Sequence, residues 1–470
     1  MHSFSNKQIA ILKSFATAAS GIVAILTLSL MLSASARAAD AFFLKSGDRV
    51  CFYGDSITEQ RFYGVDVETY VLTRFPGLKV KFVNSGVGGD TVNGGWAAPI
   101  DLRLARDVFP FKPNVVTIML GMNDGRYTTF NEKIFAVYTN GYEHIIQSLQ
   151  KNLPGVKIVL IQPTPFDDVT YPPSLPGGYN TVLVRYAAFV RQLATEHNFM
   201  CVDFMTPLLD VMQKAQLQGT NVSREVIPGR IHPSPAGELI MAQSLLQAWN
   251  APSIVTEVAI DAEKDSVIKC DNTAVTDLKT GGGTISWTQQ DASLPFPILG
   301  LHEDWPQYPP VARHGNARNF FWPAPAPKWD YINITNEPVI KLSGFSQALD
   351  QEPLRVSGLA AGEYQLKING RAIGKFSDQQ LGDGIDLAGY QTPMLEQAYD
   401  VLALVWKQTQ WRFYAWREVQ VLLTEDSDRK VQKASQSLIS AMEAQRQQIV
   451  EQEYVACQSK PTQYELVPAN

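Results

Sequence analysis

A serine, a glycine, an asparagine and a histidine stand along this chain where a nucleophile, two hydrogen-bond donors and a base could be assembled. Ser56 lies in Gly54-Asp55-Ser56-Ile57-Thr58, after the apolar run Val50-Cys51-Phe52-Tyr53 and before a helix-compatible stretch. In a parallel α/β sheet ligands bind at the carboxyl edge, and a serine entering a helix there aims its own N–H at whatever its hydroxyl attacks. Alone, the pentapeptide is more often a helix N-cap serine. Three further segments change that balance. Asn84-Ser85-Gly86-Val87-Gly88-Gly89-Asp90-Thr91 follows the apolar run 79–83, and its glycines let backbone amides approach a ligand. Gly121-Met122-Asn123-Asp124 follows the run 114–120, and Ile231-His232-Pro233-Ser234-Pro235-Ala236-Gly237 precedes a helix reaching about Trp249. Each segment alone reads as turn chemistry. In this order, each after a strand or before a helix, they are hard to explain as turn chemistry alone.

The four blocks resemble those of the SGNH, or GDSL, hydrolases over roughly residues 45–250. The resemblance implies a carboxylic ester hydrolase without cofactor, whose site residues are Ser56, Gly89, Asn123 and His232. Ser56 would attack the acyl carbon and His232 would take its proton. The N–H groups of Ser56 and Gly89 and the side-chain amide of Asn123 would hold the oxyanion, each such donor being worth about 3 kcal/mol of barrier. Asp55, Asp124 and Arg126 are expected to hold the site loops, with Tyr127 and the Tyr179-Asn180 pair as candidate pocket walls.

One position departs from the family. The aspartate expected three residues before the histidine is Gly229, and glycine cannot accept an imidazole proton. Loss of that role can cost about 10⁴ in turnover. Three arrangements are open: a backbone carbonyl orients His232 in a Ser-His dyad, another carboxylate (Asp167, Asp168 or Glu225) substitutes, or the protein binds its ligand without turning it over.

The elements that must position these residues are legible in the periodicity. Strands are expected at 49–53, 79–83, 115–120, 157–161 and 200–204, with helices near 63–75, 97–107, 131–151, 180–197, 205–217 and 235–249. This alternation describes an α/β fold with a doubly wound parallel five-stranded sheet, flavodoxin-like in plan, across residues 40–250. After Pro252 the composition shifts to a β-rich region, 251–390, with strand-like runs at 255–260, 267–270 and 284–288. Asn369-Gly370 there marks a tight hairpin. Residues 295–330 are dense in proline and aromatics, able to stack on sugars or to pack as a loop on the first domain. Residues 391–470 read as a helical hairpin, one helix opened by Thr392-Pro393 and running to about Glu418, the other from about Asp428 to Val455. It would pack on the β-rich region or the hydrolase domain, with a coiled-coil dimer as the rival arrangement.

Residues 1–38 read as a signal peptide: Lys7 and Lys13 precede an uncharged run with an apolar centre at 22–32, and Ala36-Arg37-Ala38 has a cleavage pattern. Secretion to a periplasm or beyond is expected, with no membrane span after cleavage; an uncleaved anchor is the alternative. The formal net charge of −6, and the absence of a Lys/Arg cluster, speak against nucleic acid and against an acidic polysaccharide as main partner. Four cysteines show no metal-ligand spacing. Cys51 and Cys201 read as buried thiols, while an oxidising compartment would permit a Cys270–Cys457 bridge. The expected function is a secreted serine esterase removing short acyl groups such as acetyl from a carbohydrate. The alternatives are a catalytically impaired carbohydrate-binding envelope protein and a lipase or arylesterase.

Overall fold

Strand β1 (Arg49–Gly54) is apolar and buried almost throughout, as a strand covered on both faces must be. It pairs in parallel with β2 (Lys81–Gly86) and with β3 (Val115–Met119). Then come β4 (Lys157–Ile161) and β5 (Met200–Val202), completing a five-stranded sheet of order β2-β1-β3-β4-β5. In this order the chain reverses direction between β1 and β3, and such a switch point opens a crevice at the carboxyl edge. The computed structural model describes residues 41–298, 337–423 and 428–469, so the expected signal peptide and most of the proline- and aromatic-rich run lie outside the described residues.

The helices of this half fall where the periodicity places them: α1 (Phe62–Arg74), α2 (Ile100–Asp107), α3 (Glu132–Asn152), α4 (Asn180–His197), α5 (Met205–Gln216) and α6 (Pro235–Ala248). At two strands the carboxyl end differs by more than one residue. Asn84, Ser85 and Gly86, read as the start of a turn, complete β2 because they stay paired with Phe52, Tyr53 and Gly54. At the other edge β5 stops at Val202, since the Asp203 carboxylate accepts the N–H groups of Met205 and Thr206 and opens α5 instead.

The C-terminal half contributes two further sheets. Strands β6 (Glu257–Asp261), β7 (Ser266–Asp271), β8 (Thr273–Gly281) and β9 (Thr284–Asp291) are followed by β10 (Pro353–Ser357), β11 (Glu363–Ile368), β12 (Arg371–Ser377) and β13 (Ile385–Asp386). The β11–β12 hairpin turns on Asn369 and Gly370 with φ of 51° and 77°, as its dipeptide predicts. Helix α7 (Pro393–Tyr414) runs on through a π-helical turn, Ala415–Gln420, and α8 (Arg429–Ala456) returns. The chain then closes with β14 (Thr462–Pro468), a strand absent from the helical expectation for this tail. β14 lies in the middle of an antiparallel sheet of order β8-β9-β14-β11-β12, while β13-β10-β6-β7 form the other.

The helical pair packs on both neighbours. One apolar core joins Val65 and Leu72 of α1 to Trp287, Leu366, Tyr464 and Leu466 of the sheet and to Leu395, Leu402 and Trp406 of α7. Phe62 stacks on Trp406 at 5.2 Å, and the Tyr454 hydroxyl donates to the Val80 carbonyl at 3.1 Å. From Leu44 onward the chain forms one compact unit. All four cysteines are free thiols: Cys270 is exposed on the outer strand β7 and Cys457 is buried in the shared core, so the bridge between them is not formed. Cys201 is half-buried rather than buried, being at the short edge strand β5. Among the described residues no helix is long and apolar enough to cross a membrane.

Leu466 is fully buried between Ile285 and Leu366 on the two neighbouring strands. Leu466→Ala should therefore lower the unfolding free energy by about 2–5 kcal/mol in a denaturant titration.

Candidate active site

Ser56 opens a single helical turn, Ser56–Glu59, capped by the Asp55 carboxylate, which accepts the Ile57 N–H at 3.0 Å. That turn is pressed against the end of β2. A Cβ built on Gly86 would lie 2.4 Å from the Glu59 nitrogen, and the Asn84 side chain donates to the Thr58 carbonyl at 2.7 Å. No residue larger than glycine fits at position 86. After β2 the chain reaches Gly89, exposed and with φ of 77°, a conformation that favours glycine.

His232 approaches from the loop before α6. Its Nε2 lies 2.8 Å from Ser56 Oγ across 176 residues of sequence. The loop is held on both flanks: Gln60 donates to the Pro233 carbonyl at 3.2 Å, Tyr171 to the Pro228 carbonyl at 2.8 Å, and the Asp167 N–H to the Arg230 carbonyl at 2.8 Å. Ser234 caps α6 by accepting the Gly237 N–H.

Asn123 is fixed at both ends of its amide. Its Nδ2 donates to the Asp90 carbonyl at 3.0 Å, and its Oδ1 accepts the Tyr127 hydroxyl at 2.9 Å. This tethers the loop after β3 to the loop after β2 and leaves the second Nδ2 hydrogen to point elsewhere. Arg126 and Tyr127 both have positive φ, 54° and 53°, a strained conformation for non-glycine residues. The sequence reading of Tyr127 as a wall missed this bond. Tyr179 is fully buried with its hydroxyl on the Met122 carbonyl, and the half-buried Asn180 side chain pairs with both backbone groups of Phe166.

The substitute carboxylates are engaged elsewhere. Asp167 is buried and accepts the Val169 and Thr170 N–H groups and the Thr170 hydroxyl. Asp168 accepts the Asn180 N–H and faces Arg230 at 3.9 Å. Glu225 is half-buried, and burial raises its carboxyl. At Gly229 an added Cβ would meet nothing within 4 Å, so the space for the usual aspartate is open.

A hydroxyl in contact with an imidazole, beside backbone and amide donors at one sheet edge, can run acyl transfer. A family model for the GDSL-like lipase/acylhydrolase family matches residues 52–240. An acetylxylan esterase from Geobacillus stearothermophilus is 30% identical over 221 residues, 43% of this chain and 94% of that protein. This chain belongs to the GDSL-like lipase/acylhydrolase family. A GDSL esterase/lipase from Arabidopsis thaliana is 27% identical over 227 residues, covering 43% of this chain and 87% of its own. The solved structure of a gut microbial diltiazem-metabolizing enzyme has the same fold over nearly the whole chain, with a TM-score of 0.73, 24% identity, and coverage of 91% of this chain and 98% of that one.

This GDSL family member is therefore a carboxylic ester hydrolase. Burial dominates the acids beneath its loops. Burial pushes the Asp55 carboxyl up to about 8, Asp124 up to about 7 and Asp90 up to about 6. At neutral pH these acids beneath the loops carry less charge than exposed carboxylates would. Asp124 still accepts the Val92 N–H, and Asp90 receives the fully buried Arg103, whose guanidinium also donates to the Ser85 carbonyl and pairs with Asp107. Arg103 is a residue that sequence reasoning missed; only its place on the buried face of α2, beneath both loops, marks it.

Burial lowers the His232 imidazole to about 4, which keeps it neutral and able to accept a proton at any higher pH. The acid limb of kcat/KM should accordingly have its midpoint near pH 4, activity falling as pH drops and the imidazole protonates. Gly229→Asp should move that midpoint upward, because a nearby carboxylate stabilises imidazolium. Tyr127→Phe removes one hydrogen bond to Asn123 of roughly 0.5–1.5 kcal/mol, so kcat should fall about two- to tenfold, with the melting temperature lowered by no more than about a few degrees.

Proposed function

We propose that this esterase removes short acyl groups, acetyl foremost, from a carbohydrate through a Ser56 acyl-enzyme. The observation that carries the reading is the 2.8 Å contact between Ser56 Oγ and His232 Nε2. With the imidazole neutral and its proton on Nδ1, Nε2 accepts the hydroxyl proton as Oγ attacks the ester carbonyl. The developing oxyanion takes hydrogen bonds from the N–H groups of Ser56 and Gly89 and from the unoccupied Nδ2 hydrogen of Asn123. Collapse breaks the ester bond, and the sugar alkoxide leaves with the proton from His232. Water then repeats the path on the acyl-enzyme and restores Ser56.

The carbohydrate acetyl substrate is supported by the acetylxylan esterase among the relatives, and all four site residues fall within the family match over residues 52–240. Export is supported by the basic and then apolar N-terminal run ending in Ala36-Arg37-Ala38. The intact Ser-His contact speaks against the reading in which Gly229 leaves only a binding protein.

Hydrolysis of p-nitrophenyl acetate by the parent, Ser56→Ala and Asn123→Ala tests the assignment. Ser56→Ala should fall to background and Asn123→Ala should lose about 10²–10³ in kcat. Activity should drop from acetate to octanoate and be retained on acetylated xylo-oligosaccharides, whereas a preference for octanoate would point to a lipase. Intact mass of the exported form should place its first residue at Ala39; retention of the full N-terminal segment would argue for an anchor.

A further inference from the structure

Glu59, Trp96 and Arg417 take no part in the chemistry above, yet they converge on the peptide units flanking Gly88. Glu59 Oε2 accepts the Gly88 N–H at 2.7 Å, and Trp96 Nε1 donates to the Gly88 carbonyl at 2.8 Å. In a trans peptide the carbonyl of one residue and the N–H of the next lie in one plane and point in opposite directions. Anchoring the Gly88 carbonyl therefore sets the direction of the Gly89 N–H. The anchored unit lies against the nucleophile: a Cβ on Gly88 would be 2.8 Å from Glu59 Oε2 and 3.9 Å from Ser56 Cβ.

One cation holds both anchors. Arg417 donates to Glu59 Oε1 at 2.7 Å, and its guanidinium carbon lies 4.3 Å from the centre of the Trp96 ring. Arg417 sits on the π-helical turn Ala415–Gln420, a form of helix that recurs at functional sites. The turn is itself fastened beside the loop. Trp416 is buried against Val87 and Ala97, and its Nε1 donates to Asp107 Oδ1 at 2.9 Å. The Glu59 carboxyl is nearly inaccessible, so its charge depends on the Arg417 pair, with the Gly88 N–H as second support.

We infer that Arg417, brought by the C-terminal extension, is a positioning residue that locks the Gly88–Gly89 peptide in one orientation for oxyanion binding. The extension is in this sense a working part of the esterase. The inference rests on the Ser56 acyl-enzyme reading for its effect on rate, though not for its effect on the loop.

The test compares Arg417→Met, Arg417→Lys and Trp96→Phe with the parent. The readouts are kcat and KM on p-nitrophenyl acetate, melting temperature, and hydrogen exchange of the segment 84–92 by mass spectrometry. Arg417→Met and Trp96→Phe should lower kcat roughly 10- to 100-fold with KM within about twofold, the pattern of a lost transition-state contact. Arg417→Lys should recover part of the loss, since an ammonium can still pair with Glu59 and lie over Trp96. Exchange in 84–92 should accelerate in Arg417→Met while the sheet strands keep their protection. A lower melting temperature with kcat per folded molecule unchanged, or unaltered exchange in 84–92, would overturn the inference. If the parent shows no Ser56-dependent hydrolysis, the acyl-enzyme reading fails, and the exchange experiment still decides whether Arg417 clamps the loop.

Discussion

Two strand ends without side chains hold this site together. Gly54 closes β1 opposite Gly86 of β2 and Met119 of β3. A Cβ on Gly54 would lie 2.2 Å from Thr58 Oγ1 and 2.7 Å from the Met119 carbonyl, and one on Gly86 would meet the backbone of Thr58 and Glu59. The Ser56 turn can fold down onto its neighbouring strands only because both positions are bare. Everything at the carboxyl edge inherits its spacing from that contact: the loop with Gly89 leaves from Gly86, and the loop with Asn123 leaves from just beyond Met119.

The charges beneath the edge follow from the same crowding. Buried ions are costly unless their hydrogen-bonding groups are matched. Arg103 meets Asp90, Asp107 and the Ser85 carbonyl without reaching solvent. Burial meanwhile pushes the Asp55 and Asp124 carboxyls up, so they carry less charge at neutral pH than exposed carboxylates would. Donors fixed before a reaction stabilise developing charge without reorganising.

The C-terminal half is built into the hydrolase rather than hung from it. α7 shares a core with α1, Gln408 bonds Glu68, and Arg446 of α8 bonds Gln408 in turn. The solved structure with the same fold covers 91% of this chain, whereas the esterase relatives each match 43% of it. The family unit thus occurs here with an extension that reaches the Gly88–Gly89 loop through Glu59 and Trp96.

Local pattern alone determined the five parallel strands, their helices, the Asn369-Gly370 hairpin and the order of the four site blocks, because strand and helix periods and turn preferences are properties of neighbouring residues. β14 carried a period-two signal in Thr462, Tyr464 and Leu466, but its place between β9 and β11 depends on strands far away in sequence. Tertiary structure alone decided that Ser56 and His232 meet, that Asp167 and Asp168 are spent on backbone N–H groups, that Tyr127 holds Asn123, and that Arg417 reaches Glu59 across 358 residues. These are contacts between segments whose separation no local preference encodes, and they exist because packing the sheet and the shared core leaves each side chain one place to go.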